Sequence, residues 1–334
     1  MKARGAHVET GGHDGGLIGE PKMKVMIAYD GSAYADAALD DLRRAGLPPE
    51  AEALIVSVSD SLVNPSSSID EIAGSAPTPR RVTAAIALAR EQAARLLAEA
   101  KEFAAKAGDR VRSYFPDWQV RAEGVSGTPS HELLLRAEEW EPDLIVVGSQ
   151  GRSAVGRFFL GSVSKTLATE SRSSVRVARR AAEPGQDAPP RIIIGVDGSV
   201  GAARAVRAAA ERVWAAGTEV RVIAVDDGLS PTRIADIHPR TAELLTGHAE
   251  GEAVRARVLL DRAAVELRAV GLKVSDEIKE GDPLRTLIEE AGNWGADSIF
   301  VGARGFDHLG AKSGLGSVST GLVTDAQCTV EIVR

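Results

Sequence analysis

Short runs of aliphatic and β-branched residues alternate along the chain with longer stretches in which apolar residues recur at helical spacing. In the first half these runs are residues 24–29, 54–58, 119–122, 144–147 and 175–178. The run Leu144–Val147 is apolar without alternation, which is typical of a strand covered on both faces. Strands that alternate with helices predict right-handed crossovers and a parallel sheet.

The intervening stretches carry helix start and stop signals. An Ala- and Leu-rich helix is predicted from Arg81 to Ala107 and is closed by Gly108. Thr128 is predicted to cap the next helix, whose first residue, Pro129, has no N–H to leave unsatisfied. Ser162 is predicted to start the last helix of this half.

The same order of blocks occurs twice in the chain. The repeated blocks are Lys24–Ser32 with Arg191–Ser199, Trp140–Gly148 with Trp294–Gly302, and Gly161–Ser164 with Gly316–Ser319. We therefore predict two tandem α/β domains, each an open parallel sheet of five strands with a Rossmann-like, nucleotide-binding architecture. The predicted segments are a disordered leader at residues 1–21, domains at 22–182 and 191–334, and a breaker-rich linker at 183–190.

Composition excludes several classes of protein. Among the 334 residues, aromatics make up 4% and the formal net charge is −7. Both values argue against a nucleic-acid partner, which requires aromatic stacking faces or a basic surface. No apolar run approaches the ~20 residues that span a bilayer, so we expect no membrane association. The single cysteine, Cys328, allows no internal disulfide and favours a reducing cytoplasm.

Candidate chemistry lies where the first and fourth strands end. Asp30 follows the first strand, and Gly148 opens the pattern Gly-x2-Gly-x9-Gly-Ser, which continues through Gly151 to Gly161 and Ser162. Glycines allow a ligand to approach the backbone closely, and a helix that starts at Ser162 presents free N–H groups to phosphate. Ligands of open parallel sheets bind at this edge, where the strand order reverses.

The Asp-Gly-Ser start, the parallel α/β unit and this glycine pattern resemble the universal stress protein family. The resemblance covers nearly the whole chain after Lys24, and the nine-residue spacing is the form of the ATP-binding members. It implies an ATP-binding stress-response protein, with or without Mg²⁺, in which Asp30 and Val58 hold the nucleoside. The residues that it implies for ribose and phosphates are Gly148, Gly151, Gly161, Ser162 and Val163. Replacing Gly151 by valine is expected to remove most of the ATP affinity.

The second half departs from the pattern at one point. Its corresponding residues are Asp197, Val225, Gly302, Gly305, Gly316 and Ser317. Ten residues rather than nine separate Gly305 from Gly316, which shifts either the phosphate turn or the tip of the loop. We therefore expect the second half to bind ATP more weakly or to favour a shorter nucleotide.

Rival functions lack essential residues. The segment Gly156–Ser162 resembles a Walker A element but has no Lys before the Ser. Ser162–Lys165 matches Ser-x-x-Lys without the partner motifs of penicillin-recognising enzymes. The six histidines do not cluster, so we predict no metal site and no catalytic residue. An ATP-binding regulatory protein, a slow ATP-hydrolysing enzyme and a ligand-free structural module remain open, as does the protein partner that would sense the bound state.

Family resemblance also implies how the halves meet, because such domains pair through their last strands about a two-fold axis. In a tandem chain that axis becomes internal and approximate, while further assembly into a homodimer stays open. The last strands contain Val175-Arg-Val177 and Val330-Glu-Ile332. We predict that Arg176 and Glu331 lie on adjacent antiparallel strands, because opposite charges favour such a pair.

Overall fold

The structure is a computed structural model of the chain. It describes residues 22–61, 80–151, 160–179, 188–226, 256–305 and 314–334. The predicted leader at 1–21 and most of the predicted linker at 183–190 lie outside these ranges. No helix within them is both long enough and apolar enough to cross a membrane.

Strands and helices alternate in the order predicted. The first half contains β1 (Met23–Ala28), α1 (Ala33–Asp41), β2 (Ala51–Asp60), α2 (Arg80–Tyr114), β3 (Gln119–Gly127), α3 (Pro129–Trp140), β4 (Leu144–Gly148), α4 (Ser162–Glu170) and β5 (Ser174–Ala178). The second half contains β6 (Arg191–Val196), α5 (Val200–Ala210), β7 (Glu219–Asp226), α6 (described over residues 256–269), β8 (Lys273–Glu280), α7 (Pro283–Trp294), β9 (Ser298–Gly302), α8 (Ser317–Asp325) and β10 (Thr329–Val333).

All described strands belong to one ten-stranded sheet with the order β3-β2-β1-β4-β5-β10-β9-β6-β7-β8. Within each half the strands are parallel, as predicted. The strand order reverses between β1 and β4 in the first half and between β6 and β9 in the second. Each half therefore has a topological switch point where a crevice can form.

Helices cover both faces of the sheet, so consecutive strand residues are buried on opposite sides. Ile145 packs in one apolar cluster with Leu133, while its neighbour Val146 packs in another with Leu39. Every residue of β4 is buried, as the absence of alternation in its sequence predicts.

One predicted helix end and one predicted capping bond need correction. Gly108 does not close the second helix, because α2 continues to Tyr114 and the buried residues Ala104, Ala107 and Val111 extend one stripe through it. Burial of that stripe outweighs the modest cost of one glycine in a helix. Thr128 occupies the N-cap position of α3, but its side chain makes no capping hydrogen bond.

The last strands of the two halves pair with each other and so connect the halves into one sheet. Strands β5 and β10 are antiparallel, with Val330 opposite Val177, Glu331 opposite Arg176 and Ile332 opposite Val175. The predicted pairing of these strands and the predicted position of Arg176 against Glu331 are therefore confirmed. The pairing gives each half's edge strand a hydrogen-bonded neighbour.

A buried charge network lies at this junction. The Arg176 guanidinium donates from Nη1 to Glu331 Oε2 at 2.9 Å and from Nη2 to Asp41 Oδ1 at 3.1 Å. Glu331 also accepts a hydrogen bond from Arg212, whose Nη1 donates to the Ala45 carbonyl at 2.6 Å. Burial lowers the pKa of Arg176, but the charges of Asp41 and Glu331 raise it by more, so the guanidinium stays charged.

Side-chain and backbone contacts around the network extend the junction. Arg44 donates to Asp297 through Nε at 3.0 Å and Nη2 at 2.8 Å, which forms a bidentate ion pair between the halves. The backbone N–H of Val213 donates to the Gly46 carbonyl at 2.9 Å. Gly46 has a φ of 63°, and a Cβ there would lie 2.6 Å from the Trp214 ring. Only glycine meets both requirements.

Removing one charge of the network tests its contribution to stability. We expect Glu331→Ala to lower the free energy of unfolding by about 3–5 kcal/mol, because two buried arginines lose a shared carboxylate. Denaturant unfolding followed by circular dichroism measures this change.

A matched control removes an exposed carboxylate. Glu91 pairs with Arg95 on the surface of α2, and Glu91→Ala is expected to cost less than about 0.5 kcal/mol. Equal destabilisation by the two substitutions would contradict the role assigned to the buried network.

Candidate functional site

A cleft opens where β1 and β4 diverge. The chain leaves β1 through Asp30 toward α1 and leaves β4 through Gly148 toward α4, and the space between them has a volume of about 650 Å³. All seven candidate residues of the first half line this cleft: Asp30, Val58, Gly148, Gly151, Gly161, Ser162 and Val163. The structure thus brings together residues that are up to 133 positions apart in the sequence.

Asp30 is oriented by its own turn and by the glycine loop opposite. Its Oδ1 accepts a hydrogen bond from the Ser32 backbone N–H at 3.0 Å. A Cβ placed on Gly151 would lie 2.9 Å from Asp30 Oδ2. Any side chain at position 151 would therefore push against the carboxylate.

Val58 extends beyond the end of its neighbouring strand. The last β1–β2 register pair is Ala28 with Val56, and the Tyr29 N–H donates to the Val56 carbonyl at 3.0 Å. In a parallel sheet, every second residue directs its N–H and C=O toward the same neighbouring strand. Val58 therefore directs both groups toward the side where β1 has already turned away. These groups form a donor and acceptor pair at the cleft.

The start of α4 forms the opposite wall of the cleft. The Gly161 N–H donates to the Ser149 carbonyl at 2.8 Å, and Ser164 Oγ donates to the Gly148 carbonyl at 2.6 Å. Gly161 is the N-cap residue, and no side chain caps the helix. The first-turn N–H groups have no partners within the helix and are available to an anion.

The sequence analysis did not assign a role to Ser164, although it anchors the first turn of α4 to the end of β4. Its counterpart in the second half, Ser319, donates from Oγ to the Gly302 carbonyl at 2.8 Å. The Gly-Ser-Val-Ser sequence occurs in both halves, and this repetition could have indicated a shared structural role for its last serine.

Further lining residues come from α2 and from the end of β2, where no motif marked them. The Phe103 ring packs on the turn after β1, so that a Cβ on Gly31 would lie 2.8 Å from it. Asp60 and Glu99 also line the cleft, and among its described lining residues there is no Lys or Arg. Burial and a hydrogen bond to Asp36 raise the pKa of Tyr29, another lining residue, to about 12. Apart from helix dipoles, the described walls are acidic.

The second half repeats the backbone frame of this site. Asp197 Oδ1 accepts from the Ser199 N–H at 2.9 Å. The Gly316 N–H donates to the Ala303 carbonyl at 2.9 Å, the same bond that Gly161 makes to Ser149. The longer spacing therefore leaves the start of α8 in place, and the extra residue is accommodated between Gly305 and Gly316. Most of that loop, residues 306–313, lies outside the described residues.

The side-chain surroundings differ between the halves. A second cleft of about 750 Å³ includes Gly305, but its lining contains none of the other five, which are Asp197, Val225, Gly302, Gly316 and Ser317.

Other candidate chemistry is not supported by the geometry. Among the described residues, no group of three or more His, Cys, Asp and Glu side chains could hold a metal ion. Burial raises the pKa of the Cys328 thiol to about 12, so it remains protonated at neutral pH.

Comparisons with known proteins agree with this architecture. The model of the universal stress protein family matches residues 22–179 and 190–334. A universal stress protein of Mycolicibacterium smegmatis is 24% identical over 93% of this chain and 96% of its own length. One from Bacillus subtilis is 31% identical over 47% of this chain and 98% of its own length.

A solved structure has the same fold. A universal stress protein from Archaeoglobus fulgidus aligns with a TM-score of 0.57 at 18% identity, covering 93% of this chain and 98% of the other. With the family model matching nearly all of both repeats, the chain belongs to the universal stress protein family.

Proposed function

We propose that the first-half cleft binds ATP and that the protein acts in the stress response as a nucleotide-dependent regulator. The observation that carries the proposal is the convergence of three features in one cleft. These are the Val58 backbone beyond the end of β1, the Asp30 carboxylate, and the uncapped start of α4. The cleft volume of about 650 Å³ lies within the usual range for small-molecule sites.

The polar groups suit adenosine. Adenine presents an acceptor at N1 beside a donor at the exocyclic N6, which complement the N–H and C=O of Val58. Asp30 lies across the cleft, where its carboxylate can accept from a ribose hydroxyl or from the exocyclic amine. Apolar walls from Leu133 and Phe103 can pack against the ring system.

The phosphates would lie against Gly151, Gly161 and the first turn of α4, where backbone N–H groups and the helix dipole favour negative charge. Asp30, Asp60 and Glu99 oppose a polyanion electrostatically, because they add carboxylates to the same walls. We therefore infer that ATP binds as its Mg²⁺ complex, with the metal held mainly by the phosphates.

A regulatory role suits this cleft better than efficient hydrolysis. Its described lining includes no histidine, and Tyr29, with a pKa of about 12, cannot serve as a base at neutral pH. The direct test is to denature freshly purified protein and to identify the released nucleotide by mass. A phosphate-release assay at saturating ATP then distinguishes binding from turnover.

Recognition of the base by Val58 predicts a preference for adenine. Inosine triphosphate exchanges the donor and acceptor on the edge that faces Val58 without adding an exocyclic group at position 2. Because each mispaired buried polar group costs about 1–3 kcal/mol, we expect at least ~10-fold weaker binding than for ATP. Calorimetric titration with both nucleotides measures the ratio, and equal affinities would contradict the assignment of Val58.

The close approach of Gly151 to Asp30 predicts the effect of a side chain at this position. We expect the side chain of Gly151→Val to displace the Asp30 carboxylate and to occupy space that the phosphates need. ATP binding to the first half should therefore weaken by more than ~10-fold, about 1.4 kcal/mol. Calorimetry on the full chain provides the measurement.

The duplicated chain offers the matched control. A Cβ on Gly305 would lie 2.4 Å from Asp197 Oδ2, so Gly305→Val makes the equivalent change in the second half. It is expected to leave first-half binding unchanged, and any ATP bound by the Gly151→Val protein reports the affinity of the second half. Unaltered ATP binding by both variants would refute the proposed site.

A further inference from the structure

The second cleft lies between the halves. The first half contributes the end of α4 and the two residues after it (residues 169–172), together with Glu138 of α3. The second half contributes the start of α5, the loop after β9, and Arg334 beyond β10. Its volume of about 750 Å³ is comparable with that of the first cleft.

The side chains of this cleft are predominantly basic. Arg172, Arg204, Arg304 and Arg334 line it, while Glu138 and Glu170 are its only described acidic lining residues. The first cleft has the opposite composition, with carboxylates and no described lysine or arginine in its lining. The second cleft therefore favours a ligand with several negative charges.

Arg334 is fixed at the back of this cleft. Its Nη1 donates to the Ser173 carbonyl at 3.1 Å, and its Nη2 donates to the Ala168 carbonyl near the end of α4. Burial and the charge of Arg304 lower the pKa of Arg334 to about 10. The positive charges of Arg304 and Arg334 thus lie close enough to interact.

The internal repeat shows that the fold itself does not require this arginine cluster. Equivalent positions in the two halves are identified by hydrogen bonds that both halves make. Ser199 caps α5 as Ser32 caps α1. The N–H groups of Ala303 and Ser149 each donate to the end of the corresponding strand in their own half. By this alignment, Arg204 corresponds to Ala37 and Arg304 to Gln150. Arg172 corresponds to Gln327, because each lies one residue after its helix C-cap.

Only Arg334 has a basic counterpart. Arg179 donates from Nη2 to the Val323 carbonyl at 2.6 Å and to the Thr324 carbonyl at 2.8 Å at the end of α8, and the bond to Val323 corresponds to the one from Arg334 to Ala168. Arg334 and Arg179 thus serve the junction of the halves. The other three arginines, Arg172, Arg204 and Arg304, have no basic counterpart at the equivalent position of the other half.

The backbone of the cleft also suits an anion. The first residues of α5 line the cleft, and Gly201 stands where the first half has Tyr34. Glycine here allows the loop after β9 to approach closely, because a Cβ on Gly201 would lie 2.6 Å from the Arg304 carbonyl oxygen. Ser199 caps the helix at the Ala202 N–H, so the N–H groups of Val200 and Gly201 are the ones that have no partner within the helix. Within the described residues, Arg172 and Arg204 are exposed and take part in no ion pair, so their guanidinium groups can turn toward a ligand.

We propose that this cleft binds a small, multiply charged phosphate compound, held by Arg172, Arg204 and Arg304. Guanidinium groups form bidentate hydrogen bonds with phosphate oxygens. A ligand held by Arg172 from the first half and by Arg204 from the second bridges the two halves. The cleft is distinct from the proposed ATP cleft of the first half, shares Gly305 with the candidate nucleotide residues of the second half, and binds its ligand through charge rather than through recognition of a base.

The test uses tripolyphosphate, which has no base, and the full-length protein in 0.15 M salt. The swap variant combines Arg172→Gln, Arg204→Ala and Arg304→Gln, which install the residues that the first half carries at matching positions. We expect calorimetry to show at least a tenfold rise in the Kd for tripolyphosphate. Arg204→Ala alone, a surface change to a strong helix former, is expected to give a smaller rise in the same direction.

A second triple variant controls for net charge. Arg95→Gln, Arg257→Gln and Arg285→Gln remove three exposed arginines that do not line the cleft. This control is expected to keep wild-type affinity for tripolyphosphate, and the swap variant is expected to keep wild-type affinity for ATP in the first half. Circular dichroism and the thermal midpoint verify that each variant is folded.

Several outcomes would overturn the proposal. One is equal weakening by the swap and control variants, which would indicate general charge attraction. Another is loss of tripolyphosphate binding in the Gly151→Val protein but not in the swap variant, which would assign the binding to the ATP cleft. Binding of hexaglutamate without binding of tripolyphosphate would exclude phosphate as the ligand class.

Discussion

The antiparallel pairing of β5 with β10 is the contact on which the arrangement of the two halves depends. It joins the five described strands of each half into one continuous sheet and places Arg176 directly opposite Glu331. A buried ion pair contributes little to net stability when it is compared with apolar residues, but it is costly to break. Arg176 and Glu331 would face like charges if each half paired with a copy of itself. The network thus favours pairing within the tandem chain over symmetric pairing of equivalent strands.

This junction also determines where ligands can bind. The first cleft lies at the β1–β4 switch point, two strands from the junction, and is built from the first half alone. The second cleft lies beside the junction and requires residues of both halves. Because β10 follows β5 in the sheet, the loop after β9 and the end of α4 come together, and Arg172 and Arg304 can face one ligand. Ligand binding in the second cleft would therefore be coupled to the pairing of the halves.

Duplication has preserved the backbone frame and diversified the side chains. Ser164 and Ser319 anchor their helices to equivalent strand ends, and Gly161 and Gly316 make equivalent backbone hydrogen bonds. On this common frame the described lining of one cleft is acidic and that of the other is basic. The acidic walls around Asp30 suit a nucleotide that brings its own cation, whereas the arginines suit a bare anion.

The sequence by itself determined the duplication, the strand and helix order and the grouping of the first-half candidate residues at one edge of the sheet. These features depend on local signals such as Gly-x2-Gly-x9-Gly-Ser and on the topology that a parallel sheet imposes. The pairing of the last strands was predicted from the resemblance to a known family, and the structure confirms it. The sequence did not indicate the end of α2, because burial of a stripe through Gly108 is a tertiary effect that outweighs a local stop signal. Only the tertiary structure brought Arg172, Arg204 and Arg304 together, since Arg172 follows α4, Arg204 lies within α5 and Arg304 lies in the loop after β9. Such a cluster is decided by how two halves pack, and no spacing along a single chain encodes it.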